Sequence, residues 1–198
     1  PDEFEVRGEI FMPWKSFDEL NLKREENEEE LFANPRNAAS GSLKLLDSEE
    51  IAKRGLQAIF YHILYDQELD STSHWQLLES ARTWGLPTSP YITLCESIEQ
   101  VYDFLDLWDV ERTGLPYPTD GVVIKVDNLI DQKILGNTSK SPRWATAYKF
   151  KPEQALSRVI SVDFQVGRTG AVTPVANLEP VLLSGTTVKR ATLHNLDQ

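Results

Sequence analysis

Two short alternating segments, Asp120-Gly-Val-Val-Ile-Lys125-Val126 and Ala147-Tyr-Lys149-Phe-Lys151, constrain the fold of this 198-residue chain more than any other feature. A period of two predicts a strand in each case. In the first, Val122, Ile124 and Val126 share one face, and Gly121, Val123 and Lys125 the other. In the second, Tyr148 and Phe150 oppose Ala147, Lys149 and Lys151. Edge strands carry lysines as protection against aggregation. These hydrophobic patterns, however, are those of central strands, where a projecting ammonium group is costly unless an anion faces it. Two cations converging on one pocket would repel without phosphate or carboxylate between them. The pair therefore reads as a phosphate-handling cleft.

The segments around this pair predict a mixed architecture. Phe4 to Phe11 alternates as a strand, with Glu5, Arg7 and Glu9 on one face. Ser16-x-x-Glu19 is a capping box predicting a helix to about Glu30, and Phe32 to Ser42 reads as a loop of small residues. Asp47-x-x-Glu50 predicts a short helix ending near Gly55. Leu56 to Leu64 reads as a central strand, and Tyr91 to Cys95 as a short one. Ser73-x-x-Gln76 and Ser97-x-x-Gln100 cap two further helices, the second with Val101, Leu105 and Trp108 on its inner stripe. After Pro152-Glu153 helical patterns cease. Val159–Val166, Ala171–Leu178 and Pro180–Arg190 read as strands, with Gly167-Arg-Thr-Gly170 as the turn between the first two. A boundary near Glu153 is expected. The first part mixes helices and strands without βα alternation, so the expected class is α+β.

Charge narrows the partners. The net charge of −11 argues against nucleic acid only as an average. Residues 1–139 carry −15 and residues 140–198 carry +4, so a polyanion can meet one basic face of an acidic protein. Cys95 is the sole cysteine, which excludes an internal disulfide or a multi-cysteine zinc site within this chain. No apolar run approaches a membrane span, and the first residues do not resemble a signal peptide. A reducing cytoplasm is the expected compartment.

Several other residues admit two readings. Arg36, in Asn34-Pro-Arg-Asn-Ala-Ala-Ser-Gly-Ser42, suits a bidentate phosphate clamp, but a structural turn uses the same small residues. Glu9 can accept from ribose hydroxyls or pair with Arg7. Tyr61 is a core aromatic by default and a base-stacking platform otherwise. Arg168 and Thr169 tip a hairpin that either grips a nucleic-acid backbone or is simply exposed. His62, His74 and His194 lack metal-ligand spacing and read as structural or surface residues.

Together these segments resemble the bacterial NAD-dependent DNA ligases over nearly the whole chain. Glu5-Val-Arg-Gly-Glu9, Asp120-Gly-Val-Val-Ile-Lys125 and Ala147-Tyr-Lys149-Phe are similar to the family's third, fourth and fifth nucleotidyltransferase motifs. Phe32-Ala-Asn-Pro-Arg-Asn-Ala-Ala-Ser-Gly-Ser-Leu43 resembles its signature loop, and Gly167-Arg-Thr-Gly-Ala-Val-Thr-Pro174 the opening hairpin of its OB domain. The resemblance implies a nucleotidyltransferase domain of antiparallel sheets flanked by helices over 1–153, and part of an OB barrel over 154–198. It implies adenylyl transfer from NAD to a lysine, then to the 5′-phosphate of nicked DNA, and sealing, usually with magnesium. By resemblance Glu9 holds ribose and Tyr61 stacks on adenine. Lys125 and Lys149 neutralise phosphate charge, and Asp120 orients a metal-bound water or the lysine cluster. Arg36, Lys44 and Arg112 engage phosphate of AMP or DNA. Lys44 stands where the family usually has arginine, and keeps the charge without the fork. Arg168 and Thr169 contact DNA. No protein metal site is expected in this chain. No Lys-x-Asp-Gly occurs in residues 1–198, so the nucleophile is expected elsewhere and this chain to be the middle of a ligase acting as a monomer. Two other readings stand beside it: a non-catalytic nucleic-acid-binding module, and an ATP-dependent ligase or capping enzyme, against which the 32–43 loop argues.

Overall fold

A computed structural model describes residues 3–64, 71–151, 154–183 and 186–194. Strands β1 (Glu5–Phe11) and β2 (Gln57–Leu64) pair antiparallel, from Glu5 opposite Leu64 to Phe11 opposite Gln57. The ladder is interrupted once. Arg7 faces His62 and Gly8 faces Phe60, so Tyr61 is an extra residue without a partner, a β-bulge. Gly8 makes this possible: a Cβ there would stand 2.7 Å from the Ile59 carbonyl oxygen and 2.8 Å from the Phe60 ring. The expected central position of β2 is corrected. Among the described residues its second edge makes only an isolated parallel bridge, Phe60 to Thr88. Its apolar run is explained by helix packing, since Ile63 is buried against Leu77 and Ala81.

Helix α1 (Trp14–Glu26) begins two residues before the expected cap. Pro13 stands at the N-cap, and the Ser16 hydroxyl donates instead to the Gly55 carbonyl at 3.1 Å. The expected 32–42 loop is largely a helix, α2 (Pro35–Ser42). The Asn34 side chain accepts from Asn37 N at 2.8 Å and Pro35 occupies the first turn, a start signal that the small residues conceal. Those small residues let α2 pack closely: Ala38 and Ala39 are buried with Met12, surrounded by Phe17, Leu20, Phe32 and Leu56. Asp47, Ser73 and Ser97 cap α3 (Ser48–Ala52), α4 (His74–Thr83) and α5 (Ile98–Glu111) as their sequences predict. Tyr91–Cys95 forms no strand.

β3 (Gly121–Lys125) and β4 (Ala145–Lys149) form a second antiparallel pair, joined through an unanticipated helix, α6 (Leu129–Leu135). Asn128 caps α6, and its buried Gln132 donates to the Val126 carbonyl at 2.7 Å.

The chain separates into two compact units, Pro1–Phe150 and Lys151–Gln198. The second holds an antiparallel sheet ordered β5 (Val159–Val166), β6 (Val172–Leu183) and β7 (Thr186–Thr192). The strands expected over 171–178 and from Pro180 are one continuous β6, whose pairing with β7 breaks between Asn177 and Val181. Pro180 lies in that break, where its missing N–H is not needed. Among the described residues no helix is long and apolar enough to cross a membrane.

Candidate nucleotide pocket

The bulge at Tyr61 and the end of β3 meet at one wall of a cavity of about 520 Å³ in the first unit. Tyr61, His74, Lys125 and Arg112 supply polar groups to its lining, and Tyr91 and Trp108 part of its apolar surface. A bulged residue takes no part in the regular ladder, so its carbonyl is available to side chains. Lys125 Nζ donates to Tyr61 O at 2.7 Å and stands 4.9 Å from the centre of the Tyr61 ring. Tyr61 as a residue is 44% exposed. A cation is thus held against one aromatic face at the cavity wall. Burial pushes the Lys125 ammonium down from 10.5 to about 8. That group is charged at pH 7 but poorly solvated, a state that an anion in the cavity would relieve.

Behind the slot is an aromatic stack of two buried histidines and a half-buried tryptophan. His62 and His74 lie 5.5 Å apart between centroids, and His62 lies 5.4 Å from the Trp144 ring. His74 Nε2 is 3.2 Å from Tyr61 O and 3.4 Å from Lys125 Nζ. Burial, then Lys125 and His62, depress the His74 imidazole from 6.5 to about 4. Burial and Lys125 likewise lower His62. Both rings are therefore neutral near pH 7. The first turn of α4 is fastened to the chain following β3: His74 N donates to Asp127 O and Trp75 N to Asp127 Oδ1, each at 2.8 Å. Side-chain and backbone acceptors thus satisfy helix-start N–H groups that have no partner within the helix.

Of the sequence-predicted site residues, the structure brings Tyr61, Lys125 and Arg112 to this cavity. The Arg112 guanidinium lies 4.7 Å from the centre of the Phe150 ring. Lys149 shares the face of Lys125 on the neighbouring strand, but not its position. Lys149 pairs with Gly121 and Lys125 with Ala145, four residues apart, or about 14 Å along the strand. Lys149 is exposed and does not line the cavity. Glu9 is exposed on β1, and the ion pair of Arg7 is with Glu5, at 3.6 Å. Arg36 on α2 reaches Asp120 at 4.0 Å, both side chains nearly fully exposed. Lys44 is exposed just beyond α2. Arg168 and Thr169 are exposed at the β5–β6 turn, closed by Gly167 N to Ala171 O at 2.8 Å. Periodicity did not reveal His74, Trp144 or Asp127. The usable signal was the placement of His74 directly after the Ser73 cap. Among the described residues no three His, Cys, Asp or Glu side chains cluster to hold a metal ion.

Residues 1–153 match the NAD-dependent DNA ligase adenylation domain, and residues 156–198 the NAD-dependent DNA ligase OB-fold domain. The curated proteins named DNA ligase from Parabacteroides distasonis and Phocaeicola vulgatus are each 57% identical over 197 residues, all of this chain and 30% of the relative. That of Flavobacterium johnsoniae is 54% identical over 198 residues, with the same coverage. An α+β adenylation domain followed by an OB-fold domain is the class these matches define. The chain belongs to the family of NAD-dependent DNA ligases, and spans about 30% of the length of the curated relatives it matches.

Proposed function

We propose that this chain is the adenylation domain (1–153) and the start of the OB domain (154–198) of an NAD-dependent DNA ligase. The whole protein seals nicks in duplex DNA through lysine–AMP and DNA–adenylate intermediates, in replication and repair, as a cytoplasmic, nucleoid-associated monomer. The observation that carries the reading is the Tyr61–Lys125 pair: a half-exposed tyrosine and a poorly solvated cation on one cavity wall. Such a pair suits a purine stacked on the ring and a phosphate near the ammonium group. Arg112 adds a second cation to the same lining. Lys149, Asp120 and Glu9 are proposed to engage NAD from outside the cavity lining, as phosphate, lysine-orienting and ribose contacts. Arg36, Lys44, Arg168 and Thr169 are proposed to meet the DNA backbone, where contacts carry no sequence information.

Substrate phosphates bring magnesium with them in phosphoryl chemistry. The described residues offer no cluster of His, Cys, Asp or Glu ligands for it. The nucleophilic lysine is proposed to lie in the longer protein, since no Lys-x-Asp-Gly occurs in residues 1–198. The test is incubation of the full-length protein and of this chain with NAD labelled in its adenylyl group, followed by denaturing electrophoresis. A covalent band is expected from the full-length protein and none from the isolated chain. Labelling of the full-length protein by ATP in place of NAD would overturn the reading in favour of the ATP-dependent class.

A further inference from the structure

We infer that His74 is a positioning residue for the nucleotide slot: from the Nε2–H tautomer it holds the bulged carbonyl of Tyr61, and so fixes where the Tyr61 ring and the Lys125 ammonium stand. The inference rests on the reading of that slot as the adenylyl site. It begins with an acceptor that two donors share. Tyr61 O lies 2.7 Å from Lys125 Nζ and 3.2 Å from His74 Nε2. A carbonyl has two lone pairs, so both bonds can form at once.

The tautomer follows from the surroundings. His74 Nδ1 is buried without a hydrogen-bond partner. A proton on Nδ1 would bury an unpaired N–H and leave two acceptors, Nε2 and Tyr61 O, facing each other at 3.2 Å. A proton on Nε2 removes both faults. It leaves a bare lone pair at Nδ1 and sets the Nε2–H 3.4 Å from the Lys125 ammonium, a long donor–donor approach that both groups relieve by donating to the same Tyr61 oxygen at shorter distance. The groups facing the ring agree with a neutral imidazole: Lys125 on β3, His62 on β2 and the Trp144 ring, with Asp127 nearby.

The ring cannot easily move. It is 6% exposed, stacked on His62, and carried on a helix start fastened to Asp127, two residues after Lys125. His74 therefore ties the bulge on β2 to the end of β3, which are the two sides of the slot. The Lys125 ammonium is aimed by the same oxygen that His74 holds.

Two variants of the full-length protein separate positioning from packing. His74→Phe keeps the stacked ring and removes the donor. His74→Gln loses the ring but retains a terminal N–H. The readouts are KM for NAD and single-turnover self-adenylation rate, with melting temperature followed in parallel. His74→Phe should raise KM for NAD about tenfold, the size of one buried hydrogen bond, and His74→Gln should recover most of that loss. Unchanged KM in His74→Phe, or a His74→Gln no better than His74→Phe, would overturn the assignment. Nitrogen-15 spectra of histidine-labelled full-length protein provide a readout independent of catalysis, with protonated Nε2 expected and protonated Nδ1 fatal to the inference. A wild type that NAD does not label, but whose His74 is protonated at Nε2, would defeat the ligase reading and the positioning role with it, leaving the carbonyl contact intact.

Discussion

Replacing Lys125 by methionine should make the protein more stable while emptying the slot of its cation. The drop of the ammonium from 10.5 to about 8 corresponds to about 3 kcal/mol of cost to the charged form. Exposure to the cavity discounts this figure, since solvent and ions reach one side of the group. Methionine keeps a stem of similar length. It gives up the 2.7 Å bond to Tyr61 O, worth about 1 kcal/mol, and the contact with the Tyr61 ring, about 0.5–1 kcal/mol. Tyr61 O retains His74 as a donor. The net expectation is a gain of up to about 1 kcal/mol at pH 7. The sign with pH follows from proton binding. Between pH 8 and 10.5 the unfolded chain holds the lysine proton and the folded one sheds it, so wild-type stability rises with pH across that window relative to the variant. Urea unfolding of both proteins at pH 7 and at pH 10 measures the difference, and common alkaline effects cancel. A variant no more stable than wild type at pH 7, or an advantage that does not shrink by pH 10, would refute the claim that Lys125 is held at a cost to the fold.

Other perturbations test separate links. Gly8→Ala should destabilise by about 2–3 kcal/mol, because its Cβ would meet the Ile59 carbonyl at 2.7 Å; the urea midpoint reports it, and an unchanged midpoint would show that the bulge relaxes freely. Asp127→Ala should cost about 1 kcal/mol by freeing the Trp75 N–H held at 2.8 Å, with melting temperature as the readout. Arg168→Ala in the full-length protein should weaken nicked-DNA binding equally across sequences and lower the salt dependence by about one charge, while NAD self-adenylation persists. Loss of adenylation with intact DNA binding would move Arg168 to the nucleotide pocket.

Local signals were legible in the sequence where one residue decides the outcome. Asp47, Ser73 and Ser97 cap their helices because a side-chain oxygen needs only its own next turn. Ser16 offered the same pattern and failed, because Gly55, 39 residues away, supplied a competing acceptor. The 34–42 segment concealed a helix because its alanines and glycine signal close packing, which single-sequence reading confuses with a loop. The lysine-bearing strands followed from alternation, but their register did not, and register set Lys125 and Lys149 at opposite ends. The slot itself depended on the one place where the β1–β2 ladder is interrupted. The Ser73 cap placed His74 at a helix start but not its contacts, which are with residues 13 and 51 positions away.

That interruption at Tyr61 has a consequence for how such a pocket can be lost. A bulge absorbs an inserted residue, so the side chains beyond it keep the sides they would have without it. Arg7 and Gly8 are neighbours on opposite sides, and their partners His62 and Phe60 consequently lie on opposite sides too. Removing Tyr61 would therefore join Phe60 to His62 with both already facing the right way. The sheet would close into an unbroken ladder, and no other side chain of β2 would change sides. A three-nucleotide deletion thus yields a protein that keeps its sheet and loses its slot. The pocket is a phase defect added to an otherwise regular two-stranded ladder, held by the Lys125 and His74 contacts to the Tyr61 carbonyl.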